Sequence, residues 1–199
     1  DIDRLVREVS KSSYSNAIYH FIAENPDLGE WIESSSASED IASRLVLYSF
    51  APGTSRAQAL HQAALSCTSD VIVVLDPAVL SVESNWLDEL LGPFCLDDVG
   101  VVCGRLVYEG GDGRSYTLPD LGQASGDYYQ AFLHSASRHL HGLHCLQQFS
   151  FCGWEVTMID RELYLAVGGL DWHNFPAVMS MADFSLKVAG AGKRIVYTP

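Results

Sequence analysis

The sequence predicts an α/β fold with a central, mainly parallel sheet covered by helices. Short β-branched runs such as VIVVL at residues 71–75 have the length and composition of buried strands. Segments with helical spacing of apolar residues separate these runs, and alternation of strand and helix is typical of βαβ units. The 199 residues are 48% hydrophobic and 19% charged, which suffices for one domain with a substantial core.

Helices and strands alternate through the first half of the chain. The opening helix has Leu5, Val6 and Val9 on one face, and Thr54 or Ser55 is placed to cap a later helix that follows Pro52 and Gly53. The patterns predict helices over 2–11, 54–66 and 83–91, and strands over 17–23, 45–50, 71–75 and 99–103.

The second half of the chain is less regular. Residues 110–126 are rich in Gly, Asp and Ser and are predicted to form a long loop, and the His-rich segment 135–148 has no clear periodicity. The remaining patterns predict strands over 149–159 and 195–197, and helices over 161–167 and 182–189.

Charge and cysteine content restrict the partners and the compartment. The net charge of −13 argues against nucleic acid as a partner, and a nucleotide-bearing ligand would need local basic groups or a metal ion. The five cysteines form no CxxC pair, which indicates free buried thiols in a reducing, cytoplasmic compartment. No apolar run is long enough for a membrane span. Because the chain begins with Asp1, we expect residues 1–199 to be one domain of a longer protein that has possible further domains.

Acids follow two of the predicted strands. In open parallel sheets, ligands bind beyond the carboxyl ends of the strands, and Asp76 and Glu24 stand at such ends. A carboxylate there can accept ribose hydroxyl groups or hold a divalent cation against a diphosphate. Arg56, at a predicted helix start, is placed to reach a nucleotide. A solvated turn acid and a solvated arginine remain the alternatives.

Several segments resemble glycosyltransferase family two, whose members have the GT-A fold, and in particular its rhamnosyltransferase-like bacterial members. The resemblance lies in SRAQALHQAALSCTSDVIVVLDP, in NWLDELLGPF followed by VGVVCGRLVY, in MIDRELYLAVGGLDWHNFP, and in DFSLKVAGAGKRIVYTP. It covers most of the chain from about residue 55 to residue 199. It implies a GT-A-like three-layer sandwich, whose first strand we expect to lie upstream of Asp1.

The resemblance also implies a function and roles for individual residues. It implies inverting transfer of a sugar from a nucleotide-sugar donor to a glycan or lipid-linked acceptor in polysaccharide biosynthesis, in the cytoplasm or at the inner face of the membrane. Glu24 would bind the base of the nucleotide. Asp76 would bind the donor and a divalent cation, Mn²⁺ or Mg²⁺. The family's acidic motif is degenerate here, because Ala78 replaces its last acid.

The family's catalytic base also has no direct counterpart. An inverting transferase needs a base that removes a proton from the acceptor hydroxyl group. When Asp183 is matched to the last acid of the family motif, Met181 stands at the position of the base. Asp183 itself and Asp171 are the catalytic candidates, with His173 nearby. The alternative is a catalytically impaired GT-A-fold domain that serves acceptor binding or scaffolding in a larger protein.

Two further features each allow a structural and a functional interpretation. His134, His139, His141 and His144 with Cys145 supply possible zinc ligands but lack the paired spacing of zinc modules, so a solvated helix is the alternative. The resemblance implies that Trp154 replaces a small residue near the family's donor phosphates; we favour packing in the core over contact with a sugar ring.

Overall fold

The structure is a computed structural model that describes residues 2–23, 44–79, 82–109, 115–117, 145–175 and 178–199. In chain order its elements are α1 (Ile2–Val9), β1 (Tyr19–Ala23), β2 (Leu45–Ser49), α2 (Arg56–Ser66), β3 (Val71–Leu75), α3 (Trp86–Leu91) with a 3-10 turn (Gly92–Cys95), β4 (Val99–Gly104), β5 (Val107–Glu109), β6 (Ser115–Thr117), β7 (Gln147–Phe149), β8 (Val156–Asp160), α4 (Arg161–Ala166), α5 (Val178–Gly190) and β9 (Arg194–Thr198).

The central sheet of the described chain has five strands in the order β3-β8-β4-β9-β7. Strand β8 runs antiparallel to both of its neighbours, β3 and β4, whereas β4 and β9 are parallel and β7 is antiparallel to β9. Strands β1 and β2 form a separate parallel pair. The predicted α/β class is confirmed, but the five-stranded sheet is mixed and not mainly parallel. The reason is that β8, which comes late in the chain, inserts between two earlier strands.

Two boundaries in the second half were predicted wrongly. The predicted strand 149–159 is two strands, since β7 pairs at one edge with β9 and β8 lies between β3 and β4. Residues between them must cross the sheet and have no regular structure. Within the predicted loop 110–126, Ser115–Thr117 is a strand that pairs with Val107–Glu109.

Helices cover both faces of the sheet. Successive strand residues alternate between two core clusters, so that Val101 belongs to one and Val102 to the other. On the first face, α2, α4 and α5 contribute the buried residues Ala57, Tyr164 and Phe184, and on the second, α3 contributes Leu87 and Leu90. This helix–sheet–helix layering agrees with the predicted sandwich.

The cysteines divide into two sets. Cys67, Cys103 and Cys152 are free and buried, as predicted, whereas Cys95 and Cys145 are free but exposed. Burial raises the pKa of the Cys152 thiol to about 12, so this thiol is an inert part of the core.

Candidate functional site

Asp76 lies where the sequence places it, directly after the last residue of β3. Its backbone N–H donates to the carbonyl of Glu155 at 2.8 Å and extends the pairing of β3 with β8 by one residue. The backbone N–H of Ala78 donates to Asp76 Oδ1 at 2.7 Å and closes a turn typical of aspartate. The carboxylate is therefore held at the mouth of the strand.

Arg56 reaches the same strand mouth from α2. Its Nη2 lies 2.7 Å from Asp76 Oδ2, and the side chains are 46% and 16% exposed, respectively. Ser55 caps the helix, with the backbone N–H of Gln58 donating to Ser55 Oγ at 3.1 Å, and this cap fixes where α2 starts. The structure thus brings two predicted site residues, separated by twenty positions, into one ion pair.

Trp154 lies below this ion pair. The Arg56 Cζ atom is 5.5 Å from the centroid of the Trp154 ring, which is within cation–π range. Trp154 is only 5% exposed and belongs to the core cluster of α2 and α5. The prediction that Trp154 packs in the core is confirmed, and the ring also supports the guanidinium group.

Arg4 contacts the adjacent residue of the same turn. Its Nη2 donates to the carbonyl oxygen of Pro77 at 2.9 Å, so α1 approaches the turn from another side. Arg4 and Arg56 therefore place two guanidinium groups on consecutive residues of the 76–78 turn. We refer to Arg4, Arg56, Asp76 and Trp154 as the strand-mouth site.

The strand-mouth site does not fit a divalent cation. Mg²⁺ and related hard cations are held by several oxygen ligands, but Ala78 contributes only an exposed methyl group. Both oxygens of Asp76 already have partners, one a backbone N–H and the other a guanidinium cation. The described residues contain no group of three or more His, Cys, Asp or Glu side chains able to hold a metal ion.

Asp183 lies on α5 and forms an ion pair one turn along that helix. Lys187 Nζ is 2.6 Å from Asp183 Oδ2, with side-chain exposures of 31% and 21% for lysine and aspartate. The same ammonium group donates to the carbonyl of Gly169 at 3.3 Å. Lys187 therefore links the catalytic candidate to the GGLD segment.

Asp171 is held within its own loop. Its Oδ2 accepts a hydrogen bond from Asn174 Nδ2 at 2.8 Å and its Oδ1 accepts one from the Asn174 backbone N–H at 3.1 Å. The hydrogen bond from the Asn174 side chain is the main reason why the pKa of the Asp171 carboxyl group is lowered. The hydrogen bond from the Asn174 backbone and the charge of Lys187 lower this pKa further. The Lys187 ammonium group thus pairs with Asp183 and also acts electrostatically on Asp171, but the lowered pKa makes Asp171 a weaker base.

A histidine–tyrosine pair packs beside Lys187. His61 Nδ1 lies 2.9 Å from the Tyr164 hydroxyl oxygen, which also accepts a weak hydrogen bond from the Leu170 N–H at 3.4 Å. Burial lowers the pKa of His61, and Lys187 contributes in the same direction. Burial also raises the pKa of Tyr164, so two neutral side chains share this hydrogen bond.

Met181 lies in the core and not at a surface. Its side chain is 1% exposed and packs in the same cluster as Trp154 and Tyr164. Position 181, which the resemblance assigns to the base, therefore points away from solvent on this helix, whereas Asp183 is partly exposed. Met181 therefore has a packing role in this cluster.

Some sequence predictions lie outside the described residues. Glu24 is one of them, as are His134, His139, His141 and His144 of the possible zinc site. Of that candidate cluster the structure describes only Cys145, which is exposed.

Sequence reasoning missed three contributors to these sites. No local signal connects Arg4, in the opening helix, with Pro77, 73 positions away. Lys187 and His61 have no motif of their own. Helical spacing could have shown which residues of α5 lie on the same side as Lys187 and which residues of α2 lie on the same side as His61. It could not have shown which sides of the two helices face each other.

Comparisons with known proteins assign the class of the fold. No family model matches the chain. Two solved structures are similar in fold: GalNAc-T7 with UDP, GalNAc and Mn²⁺ has a TM-score of 0.66 and 14% identity over 98% of this chain and 39% of that one. The mannosyltransferase PcManGT from Pyrobaculum calidifontis, in complex with GDP-Man and Mn²⁺, has a TM-score of 0.64 and 16% identity over 100% of this chain and 50% of that one. Both are glycosyltransferases of the GT-A fold, and this chain has a GT-A-like fold.

Among curated proteins, the chain is similar to one from Sinorhizobium fredii (strain NBRC 101917 / NGR234) described as "Uncharacterized protein y4gI". The two are 28% identical over 145 residues, which is 71% of this chain and 16% of that protein. The chain thus spans about a sixth of the length of this relative and no more than half of either solved structure. In the described part of the chain, no helix combines the length and apolarity needed to cross a bilayer.

Proposed function

We propose that this chain is a nucleotide-sugar-dependent glycosyltransferase-like domain that transfers a sugar, with inversion, to a glycan or lipid-linked acceptor in polysaccharide biosynthesis. The observation that carries this proposal is the strand-mouth site, an Arg–Asp pair on an indole face at the carboxyl end of a strand. Ligands bind at this end of the sheet in open α/β folds. The two similar structures hold UDP or GDP-Man together with Mn²⁺.

The donor would bind with its diphosphate at Arg56 and its ribose hydroxyl groups near Asp76. Asp76 accepts hydrogen bonds as a carboxylate, and its position at the end of β3 presents it to a ligand lying over the sheet edge. Glu24, assigned by resemblance to the base of the nucleotide, remains part of this proposal. The cation expected from the resemblance has a poor set of ligands at Asp76, so no step is assigned to it.

Asp183 is the preferred base. It is partly exposed, whereas Asp171 is held by Asn174 and has a lowered pKa. In the proposed reaction, the hydroxyl oxygen of the acceptor attacks the anomeric carbon and the nucleoside diphosphate leaves. An Asp183 carboxylate oxygen accepts the proton of that hydroxyl group. Lys187 would hold the carboxylate and Gly169 in place while this occurs.

The test combines binding with turnover. Melting temperature is measured with UDP, GDP and dTDP sugars, with EDTA or with Mn²⁺, together with release of nucleoside diphosphate. A ligand at 100 times its Kd stabilises the folded state by about 2.7 kcal/mol, roughly 5–10 °C for a chain of this size. Asp183→Asn should reduce turnover by about 10²-fold or more while the donor-induced shift is retained. If no nucleotide sugar shifts the melting temperature, the proposal is refuted.

A second candidate function is favoured by the loss of two motif acids. Ala78 and the buried Met181 replace the expected metal ligand and base, and Asp183 is already paired with Lys187. A catalytically impaired domain retained for acceptor binding or scaffolding would have this pattern. Donor binding without turnover, or binding of a glycan without any donor, would select this alternative.

A further inference from the structure

The strand-mouth site brings two arginines to one turn of an acidic chain. The protein has 12 basic and 25 acidic residues and a net charge of −13, so its average field repels anions. Arg4 and Arg56 nevertheless contact consecutive residues of the 76–78 turn, Arg4 through the Pro77 carbonyl oxygen and Arg56 through the Asp76 carboxylate.

Both arginines have N–H groups that do not take part in their contacts with the turn. Arg56 is 46% exposed, and the ion pair involves one of the nitrogens of a group with five N–H donors. Arg4 Nε is buried without a hydrogen-bond partner among the described residues. Trp154 stabilises the Arg56 guanidinium through a cation–π contact, and the indole ring is itself packed in the core.

From these contacts we infer that Arg56, assisted by Arg4, takes the place of a divalent cation and binds the diphosphate of the ligand directly. Planar guanidinium groups match phosphate oxygens in bidentate geometry and are always charged. Asp76 is then the partner that neutralises one side of Arg56, and it is not a metal ligand. Binding of diphosphates is independent of Mn²⁺ and Mg²⁺. This inference rests on the proposed function for the identity of the ligand, but the site itself can be tested with a simpler probe.

The inference and the metal-ligand interpretation predict opposite effects of one substitution. Asp76→Asn keeps an Oδ1 acceptor for the Ala78 N–H but removes the charge that neutralises Arg56. If Asp76 binds a cation, the variant weakens Mn²⁺-dependent binding. If Arg56 binds the phosphates, the variant binds pyrophosphate at least as tightly as the wild type, because the guanidinium charge is no longer compensated.

The experiment is titration calorimetry with pyrophosphate, UDP and GDP, each in EDTA and in Mn²⁺. We expect Kd values in the two conditions to agree within about 2-fold, as a charge-based site without a metal requires. Arg56→Met should raise Kd on the order of 10- to 100-fold, the usual effect of losing hydrogen bonds to a charged group. Arg56→Lys should lose less, because the charge remains. Arg194→Met is the matched control, since Arg194 also pairs with an exposed aspartate, Asp98, and should leave Kd unchanged.

The outcomes separate this inference from the proposed function. Binding in EDTA that is lost in Arg56→Met and kept in Asp76→Asn supports the inference. Nucleotide binding that requires Mn²⁺ and is lost in Asp76→Asn overturns the inference and leaves the proposed function standing. Pyrophosphate binding without any nucleotide binding supports the site and overturns the proposed function. If neither class of probe binds, both are wrong. Circular dichroism establishes folding, and Asp76→Asn carries the test if Arg56→Met does not fold.

Discussion

Replacing Met181 by aspartate introduces the acid that the resemblance to glycosyltransferase family two implies at this position, and we expect this to destabilise the protein strongly. The side chain is 1% exposed and is surrounded by the core cluster. Truncating a buried methionine costs about 2–5 kcal/mol. Keeping the new carboxyl group protonated at pH 7, about three units above its ordinary pKa of 3.9, adds roughly 4 kcal/mol. The sum of about 6–9 kcal/mol is comparable to the whole stability of a domain, about 5–15 kcal/mol.

Thermal and urea denaturation of matched variants measures this effect. Met181→Asp should melt at least about 12 °C below the wild type, at 2–4 °C for each kcal/mol in a chain of this length. Met181→Leu conserves volume and should cost less than about 1.5 kcal/mol. Ala78→Asp restores the other acid at an exposed position and should change stability by no more than about 0.5 kcal/mol.

The pH dependence gives a second signature of burial. A buried carboxyl group has a folded-state pKa above its unfolded value, so its protonated form favours the folded state. The stability deficit of Met181→Asp relative to the wild type should therefore shrink by about 4 kcal/mol between pH 7 and pH 4. A Met181→Asp protein that melts within a few degrees of Met181→Leu would refute the reasoning. It would mean that position 181 opens to solvent, where an acid can meet an acceptor.

Four further variants test the packing around the candidate site residues. Gly169 has φ +60° and a Cβ there would lie 2.7 Å from the Tyr164 ring, whereas Gly168 has φ +81° and open space. Gly168→Ala should thus lower the free energy of unfolding by about 1–2 kcal/mol, and Gly169→Ala should lower it by at least about 1 kcal/mol more, both measured by urea denaturation. Equal losses would contradict the close contact between position 169 and Tyr164. Because the pKa of His61 is lowered in the folded state, its contribution to folding stability is complete above about pH 6.5 and is lost as the pH falls through the lowered pKa. The melting temperature of His61→Asn should therefore fall less steeply with decreasing pH than that of the wild type. An unchanged slope would show that His61 does not titrate differently on folding. Ser55→Ala should lose about 1 kcal/mol in the same denaturation assay through the lost cap of α2, and a neutral result would count against that cap.

The local elements of the fold could be read from sequence because short-range patterns determine them. The run at residues 71–75 is strand β3 with the predicted bounds, and Ser55 is the cap of α2. The position of Asp76 at a strand end follows from the same local pattern and Pro77. These features depend on residues within a few positions of each other, and their propensities are present in any tertiary context.

Strand direction and order depended on tertiary structure. Strand β8 follows β3 by about eighty positions, and its apolar pattern is the same whether it pairs parallel or antiparallel. Its insertion between β3 and β4 is favoured because apolar side chains on both faces of β8 become buried there. This burial depends on the assembled sheet and not on the local sequence. The prediction of a mainly parallel sheet failed for this reason.

The candidate sites show the same division. Sequence alone supplied an acid at the end of a strand, an arginine at the start of a helix, and a resemblance that implies acids at positions 78 and 181. The folded structure pairs Asp76 with Arg56, brings Arg4 into a hydrogen bond with the Pro77 carbonyl oxygen and buries Met181 in the core. Chemical identity and local spacing are properties of the chain, whereas which charges neutralise each other and which side chains lose water depend on distances in space that only packing determines.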